Sequence, residues 1–74
     1  MANFHLVDAL RKKYEGEIAS AKANIHVYIN NPVGIGEHSN LVAAVDCEIE
    51  KLADAMDKLE ALTQHYSKEF IGYL

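Results

Sequence analysis

The chain has one cysteine, Cys47, and no tryptophan among its 74 residues. A single thiol cannot form an internal disulfide, which excludes the bridges that stabilise many small secreted domains. A chain of this length buries only about 60% of its unfolded surface when it folds alone. We therefore expect association between subunits to supply the missing stability.

Long apolar runs are also absent. No segment approaches the roughly 18 apolar residues of a membrane span, and the first residues lack the basic segment and apolar run of a signal peptide. Half of the residues are apolar and only one, Pro32, is proline, which is typical of a globular chain and not of a disordered one. These features predict a cytoplasmic protein with no membrane partner.

Basic residues are few. Lysine and arginine number 7 against 11 acidic residues, for a formal charge of −4. Nucleic-acid backbones require a basic face, so nucleic acid is not an expected partner. The acids of the second half are expected to form a solvated face. The functional alternative is an acidic strip that imitates the phosphate backbone and blocks a nucleic-acid-binding partner.

What the sequence does contain is a heptad pattern in its second half. Apolar residues recur at alternating steps of three and four, which predicts a helix that lies along other helices: Val42, Val45, Ile49, Leu52, Met56 and Leu59, continued by Tyr66, Phe70 and Tyr73. Leu41, Ala55 and Leu62 lie beside this series and widen the apolar arc beyond what one partner helix covers. The residues predicted to form an intersubunit interface are Leu41, Val45, Leu52, Met56, Leu59, Leu62, Tyr66, Phe70 and Tyr73.

The first half predicts one matching helix, with apolar residues every three or four positions and Asn3 as its cap. Pro32 and two glycines then break the helix, and Ser39 or Asn40 caps the next one. The predicted fold is a single all-α domain: an antiparallel two-helix hairpin (helix about 4–29, turn 30–38, helix about 40–70) that assembles into a four-helix bundle. Gly16, inside the first helix, marks either a close helix contact or a weak point.

Candidate chemistry is sparse. His5 and His65 are expected at the same level of the hairpin, with Glu69 one turn from His65, and such groups are zinc or copper ligands in other proteins. Two neighbouring surface histidines are the commoner explanation. No Glu-x-x-His pair is present for a di-metal centre, and no nucleophile is matched with a base and an oxyanion donor. We expect no catalytic residues and no cofactor.

The last residues, Phe70 to Leu74, are almost wholly apolar. One interpretation extends the second helix so that Phe70 and Tyr73 cover the end of a partner hairpin. The other leaves an apolar tail that docks in a groove of another protein. The heptad register continues through both aromatic residues, which favours the first interpretation.

The turn segment from Tyr28 to His38, followed by Asp46-Cys47-Glu48-Ile49-Glu50, resembles small proteins encoded by tailed phages of marine bacteria. The resemblance covers about residues 14–62 and implies a setting, the bacterial cytoplasm or a virion, with a host or virion protein as a second partner. It implies no activity or site. The expected function is a non-enzymatic, homo-oligomeric protein–protein interaction module. The alternative is a small helical bundle that binds a metal or another ligand.

Overall fold

A computed structural model of the chain describes the backbone of residues 4–31 and 40–71, and the side chains of residues 5–31 and 40–66. Helix α1 spans Phe4–Asn30 and helix α2 spans Leu41–Ile71. The Asn24 side chain, late in α1, donates a hydrogen bond to Glu48, early in α2, while Tyr14, earlier in α1, lies under Lys58, later in α2. The two helices therefore run in opposite directions. The predicted all-α hairpin is confirmed, while the predicted cap Asn3 and most of the turn lie outside the described residues.

Both described helix ends follow from local sequence. The Asn40 side-chain oxygen accepts a hydrogen bond of 3.0 Å from the Ala43 amide, which makes Asn40 the N-cap of α2. At the end of α1, the Asn31 amide donates to the Val27 carbonyl at 2.8 Å, immediately before the proline that prevents continuation. Ser39, the other predicted cap, lies outside the described residues. Asparagine therefore begins one helix and lies at the end of the other.

The contact between α1 and α2 uses a heptad series displaced from the predicted one. Ala21 and Ala55 are each 2% exposed and are the most buried apolar residues described. Small side chains allow two helices to approach closely, and the burial of both alanines shows that the alanine-bearing side of α2 faces α1. The residues of α2 in this hairpin seam are Leu41, Val45, Glu48, Leu52, Ala55, Leu59 and Leu62.

Antiparallel pairing about the predicted turn is expected to place residues whose numbers add to about 70 at the same level, which pairs Tyr14 with Met56. In the structure Met56 is 53% exposed, and the Tyr14 ring lies 6.0 Å from the Lys58 ammonium instead. A hydrogen bond between Asn24 and Glu48 and a cation–π contact between Lys58 and Tyr14 join the helices, and in each pair the residue numbers add to 72. The register is therefore close to the expected value of about 70, while the face of α2 that meets α1 differs.

The hairpin is a thin rod with little interior. Its extents are 50 × 16 × 16 Å and its radius of gyration is 16.2 Å, against about 11 Å for a compact domain of this length. Among the described side chains, the buried apolar residues are Ala21, Ala55 and Leu62, and no large side chain is fully buried. Within the described residues, two helices alone therefore leave many large apolar side chains partly exposed to water.

Gly16 is a weak point of α1 and not a close contact, because a methyl group added there would meet no atom within 4 Å. The Gly16→Ala variant is expected to raise the free energy of unfolding by about 0.5–1 kcal/mol, since alanine loses less backbone entropy in a helix. Thermal denaturation at fixed protein concentration measures this. The control Ala19→Gly, at an exposed position of the same helix, is expected to give the opposite shift. A destabilised Gly16→Ala would show that another subunit approaches α1 at this residue.

Candidate interaction surface

An exposed apolar row runs along α2. Val42, Ile49 and Met56 are 81%, 44% and 53% exposed and recur every seven residues, so they share one face of the helix. We call these three residues the outer row. Val45 and Leu52 lie between them and are only half-buried by α1. The outer row and its half-buried neighbours form a second heptad seam, so α2 presents one apolar seam to α1 and another to solvent.

The opposite flank of the hairpin is polar. A cleft of about 350 Å³ lies there between the helices. Its polar lining includes two ion pairs, Lys58 with Asp54 at 3.2 Å and Lys51 with Glu48 at 3.3 Å. We call it the polar cleft; its remaining lining residues are Glu17, Ser20, Ala21 and Asn24. The hairpin therefore has an apolar flank along α2 and a polar flank over most of its length.

Glu48 occupies a position of the hairpin seam and is 8% exposed. Its carboxylate accepts a hydrogen bond of 3.0 Å from the Asn24 side-chain amide and pairs with the Lys51 ammonium at 3.3 Å. The Asn24 hydrogen bond, supported by Lys51 and opposed by burial, lowers the pKa of Glu48. For this residue the predicted solvated acidic face is wrong, because the rotation of α2 brings it under α1.

The lowered pKa of Glu48 predicts acid sensitivity. Its carboxylate binds protons less readily in the folded chain than in the unfolded one, so its contribution to stability is present above the unfolded pKa and is lost as pH falls through the lower, folded pKa. The ordinary pKa of the group is 4.5, so the loss begins below that value. We expect the melting temperature to fall on acidification below about pH 4.5, and to fall less in Glu48→Gln.

Asp8 provides the control for that experiment. Its pKa is also lowered, by hydrogen bonds from Lys12 and Arg11, but its ion pairs lie within α1 and not between the helices. Both Glu48→Gln and Asp8→Asn remove one titrating carboxylate, and the separation of α1 from α2 should depend on Glu48 more. Identical melting profiles of the two variants between pH 3 and 7 would contradict a special role for the contact between the helices.

A second apolar feature lies near the open end of the hairpin, on the flank that carries the polar cleft. It is a groove of about 470 Å³ between the first three turns of α1 and the later part of α2. Leu6 and Tyr66 are 65% and 54% exposed at its edges. We call it the open-end groove; its lining residues are Leu6, Val7, Leu10, Tyr14, Lys58, Ala61, Leu62 and Tyr66.

The predicted interface residues are divided among these surfaces. Leu41 and Leu62 lie in the hairpin seam, Met56 lies in the outer row and Tyr66 borders the open-end groove. Val45, Leu52 and Leu59 are half-buried and belong to both seams of α2. The backbone is helical through Ile71, which agrees with the helix-extension interpretation as far as that residue. The side chain of Phe70 and all of Tyr73 lie outside the described residues.

Val42 and Ile49 complete the exposed surface although they were not among the predicted interface residues. Both belong to the heptad series, and their spacing of seven residues from each other and from Met56 is the feature that could have assigned them to one row. Leu6 and Leu10 were likewise not among the predicted interface residues. Leu10 belongs to the apolar stripe predicted for α1, but only the tertiary structure shows that Leu6 and Leu10 line a groove together with residues of α2.

The candidate metal ligands are not assembled in the part of the chain that the structure describes. His5 and His65 are both exposed, and the Glu69 side chain lies outside the described residues. Among the described residues, no three histidine, cysteine or carboxylate side chains are grouped as a metal site. Neither described helix has an apolar stretch that could cross a membrane.

No family model, curated protein or solved structure matches this chain.

Cys47 is exposed on the helix surface. The outer row is the strongest candidate functional surface, because its residues are large, apolar, regularly spaced and uncovered.

Proposed function

We propose that this chain is a non-enzymatic, homo-oligomeric protein–protein interaction module whose subunit contact is the outer row of α2. One observation carries the proposal: Val42, Ile49 and Met56 are exposed as a regular row, while the described core contains only three buried apolar residues. Full burial of a valine, isoleucine or methionine contributes roughly 1.5–3 kcal/mol. A hairpin that leaves such a row uncovered forgoes much of the stabilisation available to it.

The surface area supports the same proposal. The accessible surface is 5589 Å², whereas a compact monomer of 8.2 kDa exposes about 4,500 Å². The excess is about 1,000 Å², and a stable dimer covers about 800 Å² on each partner. One further copy is therefore enough to bring the exposed area per chain to that of an ordinary small domain.

The proposed setting is a phage accessory or host-modulating protein in the bacterial cytoplasm or on a virion. It is supported by the resemblance of the turn segment to phage-encoded proteins. In this setting the oligomer presents its remaining surface, including the acidic outer side of α2, to a host or virion protein. The exposed acids of that side are Asp46, Glu50, Asp57 and Glu60.

Light scattering over a dilution series tests the oligomer directly. Between about 1 and 100 µM, a range that captures ordinary homodimer affinities, the expected mass is at least twice the 8.2 kDa of one chain. The melting temperature should also rise with protein concentration, because association stabilises only the folded chain. An 8.2 kDa particle that unfolds cooperatively at micromolar concentration would contradict the proposal.

The open-end groove favours a second candidate function, the binding of a small ligand by the helical bundle. The groove is lined mainly by apolar side chains, which suits an apolar ligand, and its cationic residue, Lys58, is paired with Asp54 at 3.2 Å. A metal is the other ligand considered from the sequence, and elemental analysis of the purified protein tests it. Stoichiometric metal would favour this second function over the interaction module.

A further inference from the structure

We infer that the outer row is covered by α2 of a second copy running in the opposite direction, with a two-fold axis at the level between Glu50 and Lys51. This inference rests on the proposed oligomeric function and adds the partner element, the orientation and the register. It follows from the order of the apolar residues along α2, from their exposure, and from the register between α1 and α2 within the hairpin.

The apolar residues of the second seam are arranged so that α2 can pair with itself. In an antiparallel pair of helices with heptad seams, the side chains pack in layers. Each layer joins one residue from each helix, and the two residues occupy different seam positions of the heptad. With the axis between Glu50 and Lys51, every layer of the seam joins two apolar side chains. The layers are Val42 with Leu59 of the second copy, Val45 with Met56, and Ile49 with Leu52, each occurring twice.

The apolar residues of α1 are consistent with the same axis. The observed contacts of Asn24 with Glu48 and of Tyr14 with Lys58 relate the levels of the two helices. Residues at the same level of the two helices have numbers that add to 72, so the axis between Glu50 and Lys51 crosses α1 between Ala21 and Lys22. It then places Ile18 level with Ile25 of the second copy. Both isoleucines are half-buried and lie on the side of α1 away from the polar cleft, where a four-helix bundle would have its centre.

One alternative arrangement, with both turns at the same end and the outer row against α1 of the second copy, suits the surface less well. The outer row would then meet the side of α1 where Glu15, Lys22 and Ile29 recur every seven residues. Two of those three side chains are charged, so burying them against the outer row would remove their hydration without supplying partners. The antiparallel α2 pair places apolar residues against apolar residues throughout.

Charge opposes the α2 pair only weakly. Helix α2 is acidic, but its exposed acids lie at the rim of the proposed contact, where solvent and salt screen their repulsion. The layer nearest to the first turn of α2 contains Val42, which is 81% exposed in the hairpin and gains the most from being covered. Burial of the apolar row outweighs the repulsion at the rim.

Distance measurements between spin labels test the orientation. The two variants are Cys47→Ser/Gln64→Cys and Cys47→Ser/Glu50→Cys, in which the label occupies an exposed position outside the proposed layers. In the antiparallel pair the two Gln64 positions are separated along the axis by about 27 residues, or about 40 Å, while the two Glu50 positions are nearly level. We expect the label distance at position 64 to exceed that at position 50 by at least about 15 Å.

The outcomes separate this inference from the proposed function. An oligomeric mass with the longer distance at position 64 supports both. An oligomeric mass with similar distances at positions 50 and 64 overturns the antiparallel arrangement and leaves the oligomeric function intact. A monomeric mass of the unlabelled chain overturns both, and light scattering is therefore measured on the unlabelled chain and on each labelled variant.

Discussion

Replacing Ile49 by glutamate is expected to convert the oligomer to a monomer. Ile49 is 44% exposed in the hairpin, so covering the remainder contributes roughly 1 kcal/mol for each copy. A glutamate there would place a charge in an apolar contact, which adds a desolvation cost in both subunits. We expect the dimer dissociation constant to increase at least about 100-fold, or about 2.7 kcal/mol. Light scattering and sedimentation over a dilution series measure this change.

The matched control is Gln64→Glu, which adds the same charge to the same helix at an exposed position. It is expected to leave the mass unchanged and the helical circular dichroism close to that of the parent chain. If Ile49→Glu retained the parent mass at every concentration, the outer row could not be the subunit contact. Loss of the oligomer in Gln64→Glu as well would point to overall charge as the cause.

Leu62→Ala is expected to be the most damaging substitution within the hairpin itself. Leu62 is 9% exposed and is the only large apolar side chain among the buried residues that the structure describes. Truncating a buried leucine typically lowers the free energy of unfolding by about 2–5 kcal/mol, because the transfer free energy is lost and a cavity remains. A core this small has little else to compensate, so we expect a lower melting temperature and partial unfolding near 37 °C.

Leu6→Ala is the control, because Leu6 is 65% exposed and undergoes the same chemical change. Its expected cost is below about 1 kcal/mol, in proportion to its smaller buried area. Both variants are compared with the parent at one protein concentration, since association contributes to apparent stability. Equal destabilisation of the two would mean that the open-end groove is as well covered as the hairpin seam, by a ligand or by another subunit.

The placement of the helices was predictable because it depends on local rules. The Asn40 side-chain oxygen accepts from the Ala43 amide and caps α2, Pro32 prevents continuation of the preceding helix, and apolar residues recur with helical spacing in both halves. The register could be estimated as well, since the position of the turn fixes which residues share a level. Each of these properties needs only residues that are close in sequence or related by one reversal of the chain.

Which face of α2 meets α1 was not predictable from spacing. Val45 and Leu52 belong to two heptad series, one that includes Val42 and Ile49 and one that includes Glu48 and Ala55. Hydrophobicity alone predicts the first series as the hairpin seam. The structure uses the other, because alanines allow close approach and the Glu48 carboxylate finds Asn24 and Lys51.

The sequence by itself determined that the chain folds as two helices joined by a short break, with more apolar surface than two helices cover. It did so because helix caps, proline and heptad spacing act locally, and because a chain of 74 residues has a limited interior. Only the tertiary structure decided which apolar series is buried and which is left for a partner. That choice depends on the closeness of two helix backbones and on a hydrogen bond between distant residues, neither of which spacing along the chain specifies.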